Sequence, residues 1–339
     1  MRKPLYLTLA VIVVAVGAFT VFKFAKSSPS TPITTTTTTT TTTVPHYPTA
    51  PLTGLSDPSG LSMKRPALTI KIENTPEALP QWGVDRADVV YEEIVNGGIT
   101  RLAAIFNSQA PAKVGPVRSV RPTDTQVVWP LGGIFAYSGG AAYAIASIST
   151  APVKLIDESR AGNAMFRDPT RYAPHNLFAI APSLFAFGGS PAPPPALFSY
   201  RSAKQVAVGR PISKFVVGFP SIYPVTWTWN LQTTSWDRTL FGQADITGTG
   251  VRESPKNVIV MYVNYVNGIG TEQSYADLQG GGTVDVFSAG KESAGVWHRG
   301  PSMSDVITYK TAAGRTMTIT KGQTWVELLD VGATVTITP

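Results

Sequence analysis

Apolar and polar positions divide the chain into regions of different grammar. From Pro4 to Phe22 no residue is charged, and Leu, Val, Ala, Ile and Phe dominate the run. At about 1.5 Å per residue, a helix of that length approaches the ~30 Å hydrocarbon core of a bilayer. Residues 27–57 are rich in Ser, Thr and Pro, with unbroken threonine from Thr34 to Thr43. Such a tract buries too little apolar area to offset its ordering entropy, so it predicts a disordered stalk. Alternation resumes at Ala67–Ile72, a half-buried strand. Val89–Val95 and Ile99–Phe106 are β-rich runs around Asn96-Gly97-Gly98, a hairpin loop with positive φ. Pro122–Trp129 predicts a short helix with proline at its first position. Ile134–Ser138 then reads as a buried strand, Ala141–Ile148 as a helix packed on it, and Lys154–Glu158 as a further strand.

Gly188–Pro195 interrupts all periodicity, and short strands with turns follow. They are predicted at Lys214–Phe219, Val225–Asn230, Val258–Tyr265, Val284–Phe287, Val296–Arg299, Val306–Tyr309, Thr316–Thr320, Thr324–Leu329 and Thr334–Thr338. The fold class is therefore α+β. A mixed α/β domain (58–190) is followed by a linker (191–212) and a small, mostly-β domain (213–339) of sandwich or barrel type. Five of the seven tryptophans, at 227, 229, 236, 297 and 325, fall in the last region. They either fill a thin β core or stack on sugar rings.

Charge and composition narrow the class. The formal net charge is +7, but Arg2, Lys3, Lys23 and Lys26 all lie in the first 26 residues, which hold no acid. The other 24 basic residues face 21 acidic ones, so the folded part lacks the basic excess of a nucleic-acid binder. Residues 1–26 read as a signal anchor or a signal peptide. The anchor is favoured, because the apolar run exceeds the roughly 7–15 residues of a signal-peptide core and ends in a poor cleavage site. With the stalk beyond it, the anchor predicts a single pass through the cytoplasmic membrane with the C-terminal domains outside the cell. The chain contains no cysteine, which removes disulfides, thiolate catalysis and Cys-ligated metals.

Candidate chemistry is concentrated in two stretches. Gly115-Pro116-Val117-Arg118-Ser119-Val120-Arg121-Pro122 places Arg118 and Arg121 on a proline-stiffened backbone, with Arg101 nearby in sequence. Two guanidiniums so placed can converge on a carboxylate or phosphate. The competing reading pairs them with Glu92, Glu93 or Asp124. The second stretch carries Arg167, Arg171, His175 and Asn176. There, a histidine beside arginines serves as acid/base, as orienting donor, or as a purely structural ring. No second histidine lies at metal-site spacing, and no P-loop, dinucleotide fingerprint or nucleophile motif appears, so no metal or cofactor is expected.

Glu73-Asn74, Pro80-Gln81-Trp82-Gly83, Ala87–Glu92, Gly97–Arg101, Gly115–Pro122 and Ala173–Leu177 keep an order and spacing that resembles the YerB-like family of bacterial envelope lipoproteins. The resemblance runs from about Leu61 to the C-terminus. It implies an extracytoplasmic protein with a mixed N-terminal module and a β-rich C-terminal module, and supplies no reaction. The family's lipobox cysteine has no counterpart here, so anchoring falls to the apolar run.

Besides a structural scaffold with no small ligand, two functions are compatible with these observations. One is an envelope binding or assembly protein that recognises an anionic cell-wall component or a wall-synthesis partner through Asn74, Glu92, Arg101, Arg118, Arg121, Arg167, Arg171, His175 and Asn176. The other is a wall-active hydrolase or transferase with Glu92 and His175 as acid/base groups. Both readings share one topology. Protease added to intact cells will release a soluble fragment that starts in the stalk. Protection in intact cells with cleavage only after lysis would refute the outside placement.

Overall fold

Runs of Val, Ile, Leu and Ala without internal proline become strands when both faces can be buried, and the first half of this chain supplies three. The computed structural model describes residues 47–188, 192–220 and 224–339. The run Pro4–Phe22 and the threonine tract lie outside the described residues, among which no helix is long and apolar enough to cross a membrane. The first half comprises β1 (Leu68–Asn74), β2 (Val89–Ile94), β3 (Thr100–Phe106), α1 (Pro122–Val128), β4 (Ile134–Tyr137), α2 (Ala142–Ile148), β5 (Lys154–Asp157), α3 (Glu158–Ala161), β6 (Met165–Arg167), β7 (Leu177–Ala179) and α4 (Ala181–Phe185). Every residue of β1, β2 and β3 is buried. Gly97 and Gly98 turn the β2–β3 hairpin at φ 80° and 73°, where an L side chain would be strained. Pro122 opens α1, where its missing N–H is not needed.

The second half is nearly all strand: β8 (Ser199–Tyr200), β9 (Arg210–Pro211), β10 (Lys214–Val217), β11 (Val225–Asn230), β12 (Ser235–Leu240), β13 (Gln243–Ala244), β14 (Asn257–Val266), β15 (Tyr275–Asp277), β16 (Gly280–Ser288), β17 (Lys291–Arg299), β18 (Thr308–Thr311), β19 (Thr318–Ile319), β20 (Thr324–Asp330) and β21 (Val335–Thr338). The mostly-β C-terminal part is thus as the sequence predicts. β12 went unread because Trp236, Arg238 and Leu240 put a charge in the middle of its buried stripe.

The halves share one sheet. Its main path runs β18-β17-β16-β14-β20-β2-β3-β1-β4-β5, and β20 lies parallel to both β14 and β2. A second sheet, β13-β12-β11-β10-β21, carries Phe215, Trp227 and Trp236 in the same hydrophobic core as Trp325 and Phe287 of the first. Trp227, Trp236 and Trp325 are fully buried, so these tryptophans fill the core. Gly188–Pro195 therefore separates stretches of sequence whose strands join one sheet, and His46–Pro339 is one compact unit.

Two boundaries differ from expectation. The stalk does not extend to residue 57: Ala50 and Leu52 are buried, and Thr53 accepts a hydrogen bond from the Gly322 N–H (2.8 Å). The apolar Leu52 joins the core and holds this strap down. Within the expected linker 191–212, Leu197 and Phe198 are buried and β8 pairs with β19.

One fully buried guanidinium joins the halves. Arg238 on β12 donates from Nη2 to Glu92 Oε2 on β2 (2.7 Å) and from Nη1 to Asp245, and its Cζ stands 4.5 Å over the Trp325 ring. Burial works to lower its pKa, but Glu92, Asp245 and Glu327 outweigh that and hold it above its ordinary value. Glu327, on β20 beside Glu92, is pushed well up by burial and by the Glu92 charge, and it accepts a hydrogen bond from Trp227 Nε1 (3.0 Å).

Two outcomes follow from the shared sheet and this ion pair. Residues 47–188 and 192–339, expressed separately, will each lack a cooperative urea transition, whereas the full chain will show one. Arg238→Ala strands Glu92 and Asp245 and will cost roughly 3–5 kcal/mol of stability in the same titration. A loss below about 1 kcal/mol would show the pair to be dispensable.

Candidate functional site

Alternation along β1, β2 and β3 sorts the polar residues onto two faces. Glu73 and Glu93 are both in register with Arg101, and Lys71 falls on the same face two residues before Glu73. Asn74, Glu92 and Thr100 fall on the other. The adjacent residues Glu92 and Glu93 thus enter separate networks.

On the first face the arginine stretch runs beside the end of β1. Ile72 and Val117 form an antiparallel bridge, the Arg118 N–H donates to Lys71 O (2.9 Å), and the Glu73 N–H donates to Pro116 O (2.9 Å). This pins Arg118 against Glu73, with Nε 3.2 Å from Oε1. The contact is an ion pair without hydrogen-bond alignment, since Arg118 Nε has no hydrogen-bond partner. The other oxygen of Glu73, Oε2, lies 2.9 Å from His175 Nδ1. Arg101 Nη1 donates to Ser119 O (3.1 Å). Burial, then the charges of Arg121 and Arg118, push the Arg101 pKa down to about 10. Arg121 donates to Val120 O (2.9 Å) and Asn96 Oδ1 (2.8 Å), while its Nε is buried without a partner.

Lys71 consumes the remaining carboxylates. Its Nζ contacts Glu93 and lies 2.8 Å from Asp124 Oδ1, all three groups being buried. Asp124 Oδ2 accepts the Arg121 N–H (2.7 Å) at the start of α1, and burial raises the Asp124 pKa to about 6. That leaves Glu73 to Arg118, which it contacts, while Arg101 feels the charges of both Glu93 and Glu73. The cluster holds four cations, Lys71, Arg101, Arg118 and Arg121, against three carboxylates, Glu73, Glu93 and Asp124.

The other sequence candidates are placed differently. Arg171 donates to the carbonyls of Glu77, Leu79 and Pro80 (3.0–3.1 Å), fastening a loop. Arg167 bridges Asn176 Oδ1 (2.8 Å) and Glu158 (2.7 Å). Glu158 also accepts from Ser138 (3.1 Å), whose N–H donates to Arg118 O, so this pair borders the cluster.

Glu92 and Asn74 are not with the arginines. Glu92 accepts from Asn74 Nδ2 (2.9 Å), Thr100 Oγ1 (2.7 Å) and Arg238, on the floor of a cleft of about 360 Å³ walled by Ile99, Phe219, Val225 and Leu240. The cleft is roomy, but its carboxylate is fully engaged. An acid/base pair of Glu92 and His175 is therefore not assembled. The carboxylate beside His175 is Glu73, which the sequence does not single out as a candidate site residue. Its trace was the spacing of Lys71 and Glu73 inside an apolar strand, which marks a buried polar face. Among the described residues no group of His, Asp and Glu side chains could hold a metal ion.

Comparison with known proteins gives the lineage. Residues 52–188 match the family described as Protein of unknown function (DUF3048) N-terminal domain, and residues 215–326 match its C-terminal domain. YerB of Bacillus subtilis (strain 168), named as a lipoprotein, is 42% identical over 90 residues; the match spans 26% of this chain and 27% of YerB. The crystal structure of Bacillus subtilis YerB superposes with a TM-score of 0.73 at 22% identity, covering 85% of this chain and 99% of that one, which shows a common fold. With both modules matched in order, the chain belongs to the YerB-like DUF3048 family.

Proposed function

We propose that the protein is an extracytoplasmic, membrane-anchored binding or assembly protein of the bacterial envelope. Its arginine cluster takes an anionic group of a cell-wall component or of a wall-synthesis partner. A relative named as a lipoprotein supports the envelope location, and the apolar run Pro4–Phe22 would provide the anchor in the cytoplasmic membrane. The observation that carries the binding role is the imbalance at Glu73. Glu73 contacts Arg118, the cluster's four cations exceed its three carboxylates, and the Nε groups of Arg118 and Arg121 are buried without hydrogen bonds. An unmade hydrogen bond from a buried charged donor is costly, and an incoming carboxylate or phosphate supplies the missing acceptor.

The Glu73–His175 contact favours a second reading. A carboxylate on Nδ1 fixes the imidazole tautomer and orientation, as in general acid/base sites. In that reading His175 and Glu73, not Glu92, would carry proton transfer on a bound wall fragment.

Soluble wall fragments released by muramidase serve as the probe. Arg118→Ala will weaken their binding about ten- to a hundredfold, equivalent to a charge-assisted hydrogen bond of roughly 1.5–3 kcal/mol. Arg118→Lys will weaken it as well, because a point charge cannot replace the guanidinium fork. A lowered melting temperature with unchanged affinity would reduce the cluster to a structural ion-pair network. Mass analysis of the fragments after incubation separates the readings: products formed by the wild type and lost in His175→Asn would establish catalysis.

A further inference from the structure

The second half contains another cationic pocket, of about 200 Å³, lined by Arg201, Arg315, Ser288, Ser293, Thr318 and Met317 among others. Arg201 follows β8 and is half-buried. Three neutral oxygens hold its guanidinium. Nη1 donates to Thr318 O (3.1 Å), and Nη2 donates to Ser288 Oγ (3.2 Å) and Thr320 Oγ1 (2.5 Å). These acceptors sit on β16, on β19 and just beyond β19, so the fork is fixed before any ligand arrives. They carry no charge. Among the described residues no ion pair joins Arg201 or Arg315 to a carboxylate. Burial alone shifts the Arg201 pKa, downward, with no carboxylate countering it.

Arg315 is exposed at the pocket, and its side chain, like the hydroxyls of Thr316 and Thr318, has no partner among the described residues. Val208, Val286 and Met317 make the apolar part of the wall. Compare Arg299, whose three nitrogens donate to the carbonyls of Asp305, Gln126 and Met303. Arg299 donates from all three nitrogens and is almost fully buried, a structural tie. Arg201 keeps its Nε–H and one Nη1–H, faces an open volume, and has a second arginine beside that volume.

The geometry points to a second anion site, distinct from the Glu73 cluster. It would take a phosphate group carried on a short apolar substituent. Arg201 comes from one segment and Arg315, Thr316 and Thr318 from another, and these four donor groups outnumber the two oxygens of a carboxylate, which suits a tetrahedral oxyanion better than a planar one. The volume holds little beyond the anion and a few carbons, and Val208, Val286 and Met317 receive those carbons.

The test uses the full chain and inorganic phosphate, titrated calorimetrically against a chloride background of equal ionic strength, with acetate as the planar control. Phosphate should bind saturably and more tightly than acetate. Arg315→Ala, at an exposed position, should lower phosphate affinity at least about tenfold with no change in melting temperature. Arg201→Lys, which keeps the charge but loses the fork, should lower it similarly. Arg118→Lys, at the other cluster, should leave this binding event intact. Absence of saturable phosphate binding, or affinity unchanged in both Arg315→Ala and Arg201→Lys, overturns the site. Loss in Arg118→Lys alone would assign the phosphate to the Glu73 cluster and overturn it equally. Acetate binding as tightly as phosphate would refute the tetrahedral assignment.

Discussion

A guanidinium removed from water must be matched almost completely by its surroundings, because the desolvation cost of one ion is several kcal/mol. Arg238 meets that condition only when both halves of the chain are in place. Glu92 comes from the first half, Asp245 and the Trp325 ring from the second, and Glu327 lies beside Glu92 on the strand that splices the halves together. The same contacts define the register of β20 against β2. A slip by one residue would turn Glu327 to the opposite face and put Val326 or Leu328 against the charge. The buried ion pair thus acts as a registration device for a sheet assembled from distant segments.

The sheet also serves as a partition. Because successive side chains point to opposite faces, β2 sends Glu92 to the side that holds the halves together and Glu93 to the side that carries the arginines. Lys71 pairs with both Glu93 and Asp124, and Asp124 accepts the Arg121 N–H, so the start of α1 and the arginine stretch are tied to β1. What is left uncompensated, around Glu73, lies next to the ends of β1 and β4 and the loop that follows β4. In open sheets with parallel strands, ligands commonly meet the protein at such carboxyl ends.

Several arginines in this protein are equally buried or half-buried, and burial alone does not separate structural from available ones. Arg171 and Arg299 spend their donors on main-chain carbonyls, and Arg238 spends its charge on carboxylates. Arg118 and Arg121 each leave a buried Nε without an acceptor, as Arg238 does, and Arg201, held by three neutral oxygens, faces an open pocket. What sets Arg201 apart is the open pocket its guanidinium lines, rather than the number of donors it keeps.

The local grammar was legible because it is set by short-range forces. The β2–β3 hairpin with its glycine pair, the proline-initiated α1, the β4–α2 unit and most strands of the second half appear where apolar periodicity and turn chemistry place them. The arginine stretch was legible too, since closely spaced guanidiniums between prolines stand out in an apolar neighbourhood. Which carboxylate the arginines meet was not. Glu73 and Glu92 look alike in sequence, and strand pairing alone assigns one to His175 and Arg118 and the other to Arg238. The break at Gly188–Pro195 is real in composition. Whether strands on its two sides share a sheet depends on β20 meeting β2 across more than 200 residues, a pairing whose energy comes from burial and hydrogen bonding that no local window contains.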